Sequence, residues 1–152
     1  MSILISGAGL HAQPDSLPQL NRRVVDFVRA HLGEQVGRGE CWDLAAQALN
    51  DAGAKWDGDY GFGRVTDPVR DRVVPGDIVQ FENVEFSWEG GPAVHTTRMP
   101  HHTAVVLEVV NVDRYLIAQQ NTAETGRRTG TGELVLSRRK KGTIRFYRPV
   151  GP

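Results

Sequence analysis

The chain has one cysteine among 152 residues, which excludes an intramolecular disulfide and a multi-cysteine zinc site. A lone thiol suits the cytoplasm or an exported protein equally, so the compartment stays open. The chain also has no net charge, because 18 Lys and Arg residues balance 18 Asp and Glu residues. No apolar run approaches the roughly 18 residues that a membrane-spanning helix needs. We therefore expect no nucleic-acid partner and no membrane partner.

The composition that is present belongs to an ordinary globular protein. Hydrophobic residues make up 39% of the chain and charged residues 24%, and the length suits one core. We expect a single domain over residues 1–152. Residues 1–14 lack the basic leading segment of a signal peptide, and we interpret them as a frayed start or the remnant of an export signal.

The first third of the chain shows helical periodicity. Residues 15–18 combine a polar cap with a proline, and Val24 and Val28 then recur at helical spacing up to a predicted stop at Gly33. A second helix is predicted to begin at Cys41 and to end at Gly53. Residues 55–75 have little periodicity and predict a loop.

Beyond residue 75 the apolar period changes to two, which is typical of strands. The predicted strands are 78–81, 102–110, 115–121, 133–137 and 143–147. Residues 82–88 either continue the first strand or pair with it as a hairpin. Loops are predicted at 89–100 and 122–132. Helices followed by antiparallel strands predict an α+β fold, with N-terminal helices packed on a small antiparallel β-sheet.

Cys41 is a candidate nucleophile because it opens a predicted helix. The thiolate is the reactive form of cysteine, and the unpaired N–H groups of a helix N-terminus favour negative charge there. The alternative is a buried cysteine that packs as a small hydrophobic residue beside Trp42.

His102 begins a strand that we expect in the sheet core, where an unpaired imidazole would be costly. If the following hairpin has a turn of two or four residues, His102 shares a sheet face with Gln119 and Asn121, while Gln120 points to the other face. An amide on that face can hydrogen-bond one ring nitrogen and leave the other free for a thiol.

Four segments together resemble a known family: GECWDLA, PGDIVQF, HHTAVVLEV and IAQQNT. They are similar to the cysteine, histidine-dependent amidohydrolases and peptidases and to the NlpC-type peptidases, within the papain-like superfamily. The resemblance implies that Cys41 is the nucleophile and His102 the general base, preferred to His101 because the family histidine directly precedes the apolar strand. The third member would be Asn121 or Gln119. Many relatives carry Glu or His where Gln119 stands.

Gln35 lies six residues before Cys41, and the resemblance to papain-type enzymes implies an oxyanion-hole role for it with the Cys41 backbone N–H. The alternative is a surface glutamine on a loop.

These features predict a thiol-dependent hydrolase that cleaves an amide or peptide bond through an acyl-enzyme. The resemblance implies a peptide or peptidoglycan-like substrate, without cofactor or metal. Transfer of the acyl group to an amine would use the same residues. The alternative from another class is a weakly active or inactive papain-like binding module. The sequence does not determine the substrate or the oligomeric state.

Overall fold

The computed structural model describes residues 17–152. The predicted polar cap at Asp15 and Ser16 and the predicted start at residues 1–14 lie outside the described residues. Two helices come first and six strands follow: α1 Gln19–Ala30, α2 Cys41–Ala52, β1 Arg64–Thr66, β2 Ile78–Gly90, β3 Ala93–Val109, β4 Arg114–Gln119, β5 Gly130–Val135 and β6 Arg139–Arg148.

The strands form one sheet in the order β1-β6-β2-β3-β4-β5, and every neighbouring pair is antiparallel. The helices pack on one face of this sheet. The predicted α+β fold, with N-terminal helices packed on an antiparallel sheet, is therefore confirmed. Within residues 17–152, no helix is long and apolar enough to cross a membrane.

Both helices follow from the apolar spacing in the sequence. Val24 and Val28 of α1 are fully buried, as their helical period predicts. α1 ends at Ala30, before the predicted stop at Gly33. α2 begins at Cys41 as predicted, and Gly53 ends it in the left-handed conformation with φ 76°, where glycine carries no steric penalty.

The two faces of the sheet bury different side chains. Leu44 and Leu49 of α2 pack with Val105 and Ala118 on one face, which we call the helix face. Phe81, Ala104, Val106 and Ile117, with others, form a second cluster on the opposite face. Because side chains alternate along a strand, neighbouring residues of β3 and β4 have different surroundings.

Residues 89–100, predicted as a loop, instead extend a long hairpin. β2 continues to Gly90 and β3 begins at Ala93, with Gly90 opposite Ala93 and Trp88 opposite His95. The first part of β3 is exposed, so its sequence has no apolar alternation to reveal a strand. The backbone ladder with β2 holds it in place. The predicted loop at 55–75 likewise contains the three-residue β1, paired with β6.

The turn before β2 ties the sheet to α1. The buried Asp77 carboxylate accepts hydrogen bonds from Asn21 Nδ2 at 2.9 Å, Val74 N at 2.9 Å and Arg148 Nε at 2.8 Å. Arg148 lies at the end of β6. One carboxylate thus connects a helix, a loop and β6, and it fixes where β2 starts relative to α1.

Candidate active site

Cys41 is the first residue of α2 and is half-buried. The helix start is tightly fixed, because Asp43 accepts hydrogen bonds from Arg38 N at 2.8 Å and Arg38 Nη2 at 2.9 Å. Burial opposes the charge of Asp43, but these hydrogen bonds outweigh it and lower the pKa of that carboxyl. The Cys41 thiol makes no hydrogen bond in the described part of the chain, so it is available for chemistry.

Gln120 fixes the segment before Cys41 to the end of β4. Its Oε1 accepts from Val36 N at 2.7 Å and from Thr129 Oγ1 at 3.1 Å, while its Nε2 donates to Val36 O at 3.1 Å and to Glu40 O at 3.0 Å. This fully buried amide therefore has all four of its hydrogen bonds. It points away from the His102 face, as the alternation predicted.

His102 lies on β3 and is 7% exposed. Its Nε2 is 2.9 Å from Gln119 Oε1, which agrees with the predicted sharing of a face. An amide oxygen can only accept, so Nε2 carries the proton and Nδ1 keeps a lone pair. Burial lowers the pKa of His102, an effect that the hydrogen bond from His102 Nε2 to Gln119 partly opposes. The imidazole is therefore neutral at neutral pH and able to accept a proton at Nδ1.

Asn121, the other candidate for orienting the imidazole, has a different partner. It is exposed and adopts φ 60°, and its Nδ2 donates to Glu40 Oε2 at 3.0 Å. Of the two amides left open by the sequence, the structure places Gln119 against His102 and Asn121 against the residue before Cys41.

His101, which the sequence argument set aside, lies on the helix face. It stands opposite Glu82, and its Nδ1 is 2.8 Å from Glu82 Oε1. Its ring lies 4.7 Å from the Tyr60 ring. Burial raises the pKa of Tyr60, and the nearby Cys41 raises it further. Tyr60 thus lies close to both His101 and Cys41.

The structure does not join Cys41 to either imidazole by a hydrogen bond within the described residues. His102 packs beside Phe81, with ring centroids 5.7 Å apart, on the face opposite to that on which α2 packs. Glu40, the residue before Cys41, is hydrogen-bonded to Gln120 and Asn121. These contacts place the start of α2, and therefore Cys41, beside the end of β4.

Gln35 is not brought into this arrangement. It is exposed, and its Nε2 donates to Gly37 O at 3.3 Å within the same loop. That position corresponds to the surface-glutamine alternative rather than to an oxyanion hole.

A groove opens beside the His102–Gln119 pair. It has a volume of about 290 Å³ and runs between the middle of β3 and the loop that follows β4. Its wall includes His102, Gln119, Asn121 and Glu124. Within residues 17–152, no group of three or more His, Cys, Asp or Glu side chains could hold a metal ion.

Two helices packed on one face of a six-stranded antiparallel sheet, with a half-buried cysteine opening the second helix, form a papain-like cysteine proteinase fold. The chain belongs to the AIM3/BBC1 cysteine proteinase-fold domain family, whose sequence profile matches residues 16–152.

A curated relative is Altered inheritance of mitochondria protein 3 from Debaryomyces hansenii, 31% identical over 148 residues. The similarity covers 84% of this chain and 15% of that protein. Two solved structures of Ly7917 are also similar, one of them with the hydrolyzing product of MDP, at TM-scores of 0.50 and 0.52 and 21% identity. They cover 84% and 85% of this chain, which spans 62% of theirs. At this identity the likeness shows the fold alone.

Proposed function

We propose that the protein is a thiol-dependent hydrolase of amide bonds, in which Cys41 is the nucleophile, His102 the general base and Gln119 the residue that positions the imidazole. The observation that carries this proposal is the hydrogen bond between His102 Nε2 and Gln119 Oε1. It fixes the tautomer and leaves Nδ1 unbonded in the described chain, as a base for a thiol requires.

In the proposed reaction, Cys41 Sγ attacks the carbonyl carbon while its proton passes to His102 Nδ1. The tetrahedral intermediate then expels the amine, which takes that proton, and a thioester remains on Cys41. Water next gives a proton to His102 and attacks the thioester, which releases the acid and restores the thiol. These steps require Cys41 Sγ and His102 Nδ1 to come together at the end of the sheet, because His102 lies on the sheet face opposite to α2 in the free protein. His101 is the imidazole on the helix face, where its ring contacts Tyr60.

The finer resemblance to the cysteine, histidine-dependent amidohydrolases and NlpC-type peptidases adds a substrate class. It favours a peptide, including one of peptidoglycan, as the source of the amide. The groove beside His102 and Gln119 does not include Cys41 in its wall, so this substrate class rests on the resemblance alone.

A second candidate function is a papain-like binding module without catalysis. Two observations favour it: no hydrogen bond joins Cys41 to His101 or His102 in the described chain, and a neutral amide stands at position 119. An amide stabilises an imidazolium less than a carboxylate does. Thiol reactivity distinguishes the two functions, because a binding module does not require an ionised cysteine.

The experiment measures the rate of Cys41 alkylation by iodoacetamide from pH 5 to 10. Because the chain has one cysteine, the reaction reports on Cys41 alone. For the hydrolase we expect Cys41 to be alkylated faster at neutral pH than an ordinary free thiol, and we expect His102→Gln to slow the reaction. His101→Gln is measured in parallel as the rival variant, since it removes the imidazole that lies on the helix face, on the side of Cys41.

A thiol that reacts at an ordinary rate and responds to neither substitution would contradict the hydrolase and favour the binding module. If only His101→Gln changes the alkylation of Cys41, the general base is His101, paired with Glu82, and not His102.

A further inference from the structure

The carboxylate beside Cys41 is held at both of its oxygens. Glu40 directly precedes Cys41, and its side chain is 39% exposed. Arg127 Nη1 donates to Glu40 Oε1 at 2.8 Å, and Asn121 Nδ2 donates to Glu40 Oε2 at 3.0 Å. Both donors come from the loop between β4 and β5, so two segments far apart in sequence meet at this carboxylate.

Arg127 also packs closely on the loop that leads to Cys41. Its Nη1 reaches Arg38 O at 3.3 Å. Gly39 has φ 81°, and a Cβ built there would lie 2.7 Å from Arg127 Cβ and 2.9 Å from Arg127 O. This close approach requires glycine at position 39. The ion pair is therefore held by the backbone on both sides, unlike most exposed pairs.

The charge of Glu40 matters because it lies one residue from the thiol. A negative charge near a cysteine opposes formation of the thiolate, and a positive charge favours it. Glu40 alone would work against the helix N-terminus, which favours the thiolate. A carboxylate that is paired with a guanidinium and an amide opposes it much less.

The segments on the side of α2 carry other charged or titratable groups. The loop before α2 carries Arg38 and Glu40, the loop after α2 carries Asp59 and Tyr60, β2 and β3 carry Glu82 and His101, and the loop after β4 carries Arg127 and Arg128. Of the two arginines in the last loop, Arg127 contacts Glu40, whereas Arg128 donates to Gly33 O at 3.1 Å. Arg128 is therefore a matched control.

We propose that Arg127, with Asn121, neutralises the Glu40 carboxylate and thereby maintains the reactivity of the Cys41 thiol. Arg127 is in this sense a positioning and charge-balancing residue that acts through Glu40. The proposal deepens the proposed hydrolase function, because it names a residue that tunes the nucleophile of that site.

The test measures the pH dependence of Cys41 alkylation by iodoacetamide in the full chain. Arg127→Met should slow alkylation at pH 7 roughly 1.5- to 5-fold relative to Arg128→Met, which corresponds to the range measured for exposed ion pairs. The titration of the thiol should move upward. The double variant Glu40→Gln/Arg127→Met should regain the rate of Glu40→Gln, because no carboxylate then remains to be neutralised. Added salt should reduce the difference between Arg127→Met and Arg128→Met.

Arg127→Lys separates charge from packing, since lysine keeps the charge, and it should react faster than Arg127→Met. Thermal unfolding of each variant identifies any that fold poorly. Equal rates for Arg127→Met and Arg128→Met would overturn the proposal. So would a slow reaction of Arg127→Met that Glu40→Gln does not restore, or a lysine variant as slow as the methionine variant.

The outcome of this test can be told apart from the outcome of the test of the hydrolase proposal. The hydrolase proposal fails if His102→Gln leaves the alkylation of Cys41 unchanged. The role of Arg127 fails if the comparison with Arg128 and the Glu40→Gln rescue give no difference. Either can therefore be lost while the other stands.

Discussion

Gly132 shapes the surroundings of the Gln119 amide although it has no side chain. It lies on β5 opposite Ile117, and a Cβ built at this position would clash with Gln119 Nε2. Because the clashing atom is the end of a flexible side chain, an alanine would displace the amide and leave the strand in place. The hydrogen bond to His102 would then be lost.

We expect Gly132→Ala to fold and to slow Cys41 alkylation at pH 7 roughly 2- to 10-fold, which is the effect of losing one ordinary hydrogen bond. In the double variant Gln119→Ala/Gly132→Ala, alkylation should be no slower than in Gln119→Ala, because both changes act through the same amide. Gly151→Ala, which has no atom within 4 Å of the added Cβ, is the control. Additive effects of the two substitutions would show that Gly132 does not act through Gln119.

At the scale of residues, strand alternation alone predicted that His102 and Gln119 share a face. That argument needs only a period of two and a short turn. The partners of Gln120 and Asn121 could not be predicted in the same way. They depend on how the loop after β4 folds back onto the segment before α2, and these contacts join residues more than 80 positions apart. Buried Gln120 carried a usable signal, since an amide on the helix face must find partners.

At the scale of elements, Trp88 connects the far half of the β2–β3 hairpin to the rest of the molecule. Trp88 is half-buried and stacks on His95 with ring centroids 5.3 Å apart, and the Arg138 guanidinium lies 4.6 Å from its ring. Trp88 also packs against the cluster on the face away from the helices. These contacts dock a ribbon that otherwise exposes most of its side chains.

Trp88→Ala should therefore lower the free energy of unfolding by about 1–2 kcal/mol, from lost apolar burial and the lost cation–π contact. Val94→Ala in the same hairpin, where the side chain is 69% exposed, should change it by no more than about 0.5 kcal/mol. Urea unfolding followed by circular dichroism measures both. Equal effects would mean that Trp88 does not dock the hairpin.

The elements that the sequence predicted correctly are those with one buried face. α1 and α2 have a helical apolar stripe, and the second half of β3 and all of β4 have buried residues. The first half of β3 has none. Its pairing with β2 comes from a backbone ladder that continues an already aligned hairpin, and backbone hydrogen bonds leave no pattern in the side chains. Periodicity therefore cannot find this strand.

At the scale of the whole molecule, the sheet separates two histidines that are adjacent in sequence. His102 is buried with its pKa lowered by that burial, whereas the His101 side chain is 47% exposed and paired with Glu82. The carboxylates with lowered pKa values, such as Asp43 and Glu82, lose their contribution to the free energy of unfolding only below about pH 5. Burial raises the pKa of Asp77, whose protonation acts in the opposite direction as the pH falls. The slope due to His102 between about pH 5 and 6.5 is therefore the difference between wild type and His102→Gln.

The sign follows from proton binding. A histidine in the unfolded chain has a pKa of about 6.5. Below that pH the unfolded chain binds a proton at position 102 that the folded chain does not bind, so stability falls as the pH falls. The slope for one proton is at most about 1.4 kcal/mol per pH unit. In His102→Gln this slope should disappear, while His101→Gln should retain it. Urea unfolding at pH 5.0, 5.5, 6.0, 6.5 and 7.5 measures the effect. A slope that persists in His102→Gln would mean that another group carries the acid sensitivity, and that the folded state tolerates a charged imidazole at position 102. A charged imidazole in the resting protein would in turn be unable to take the Cys41 proton, so this measurement also bears on the proposed base.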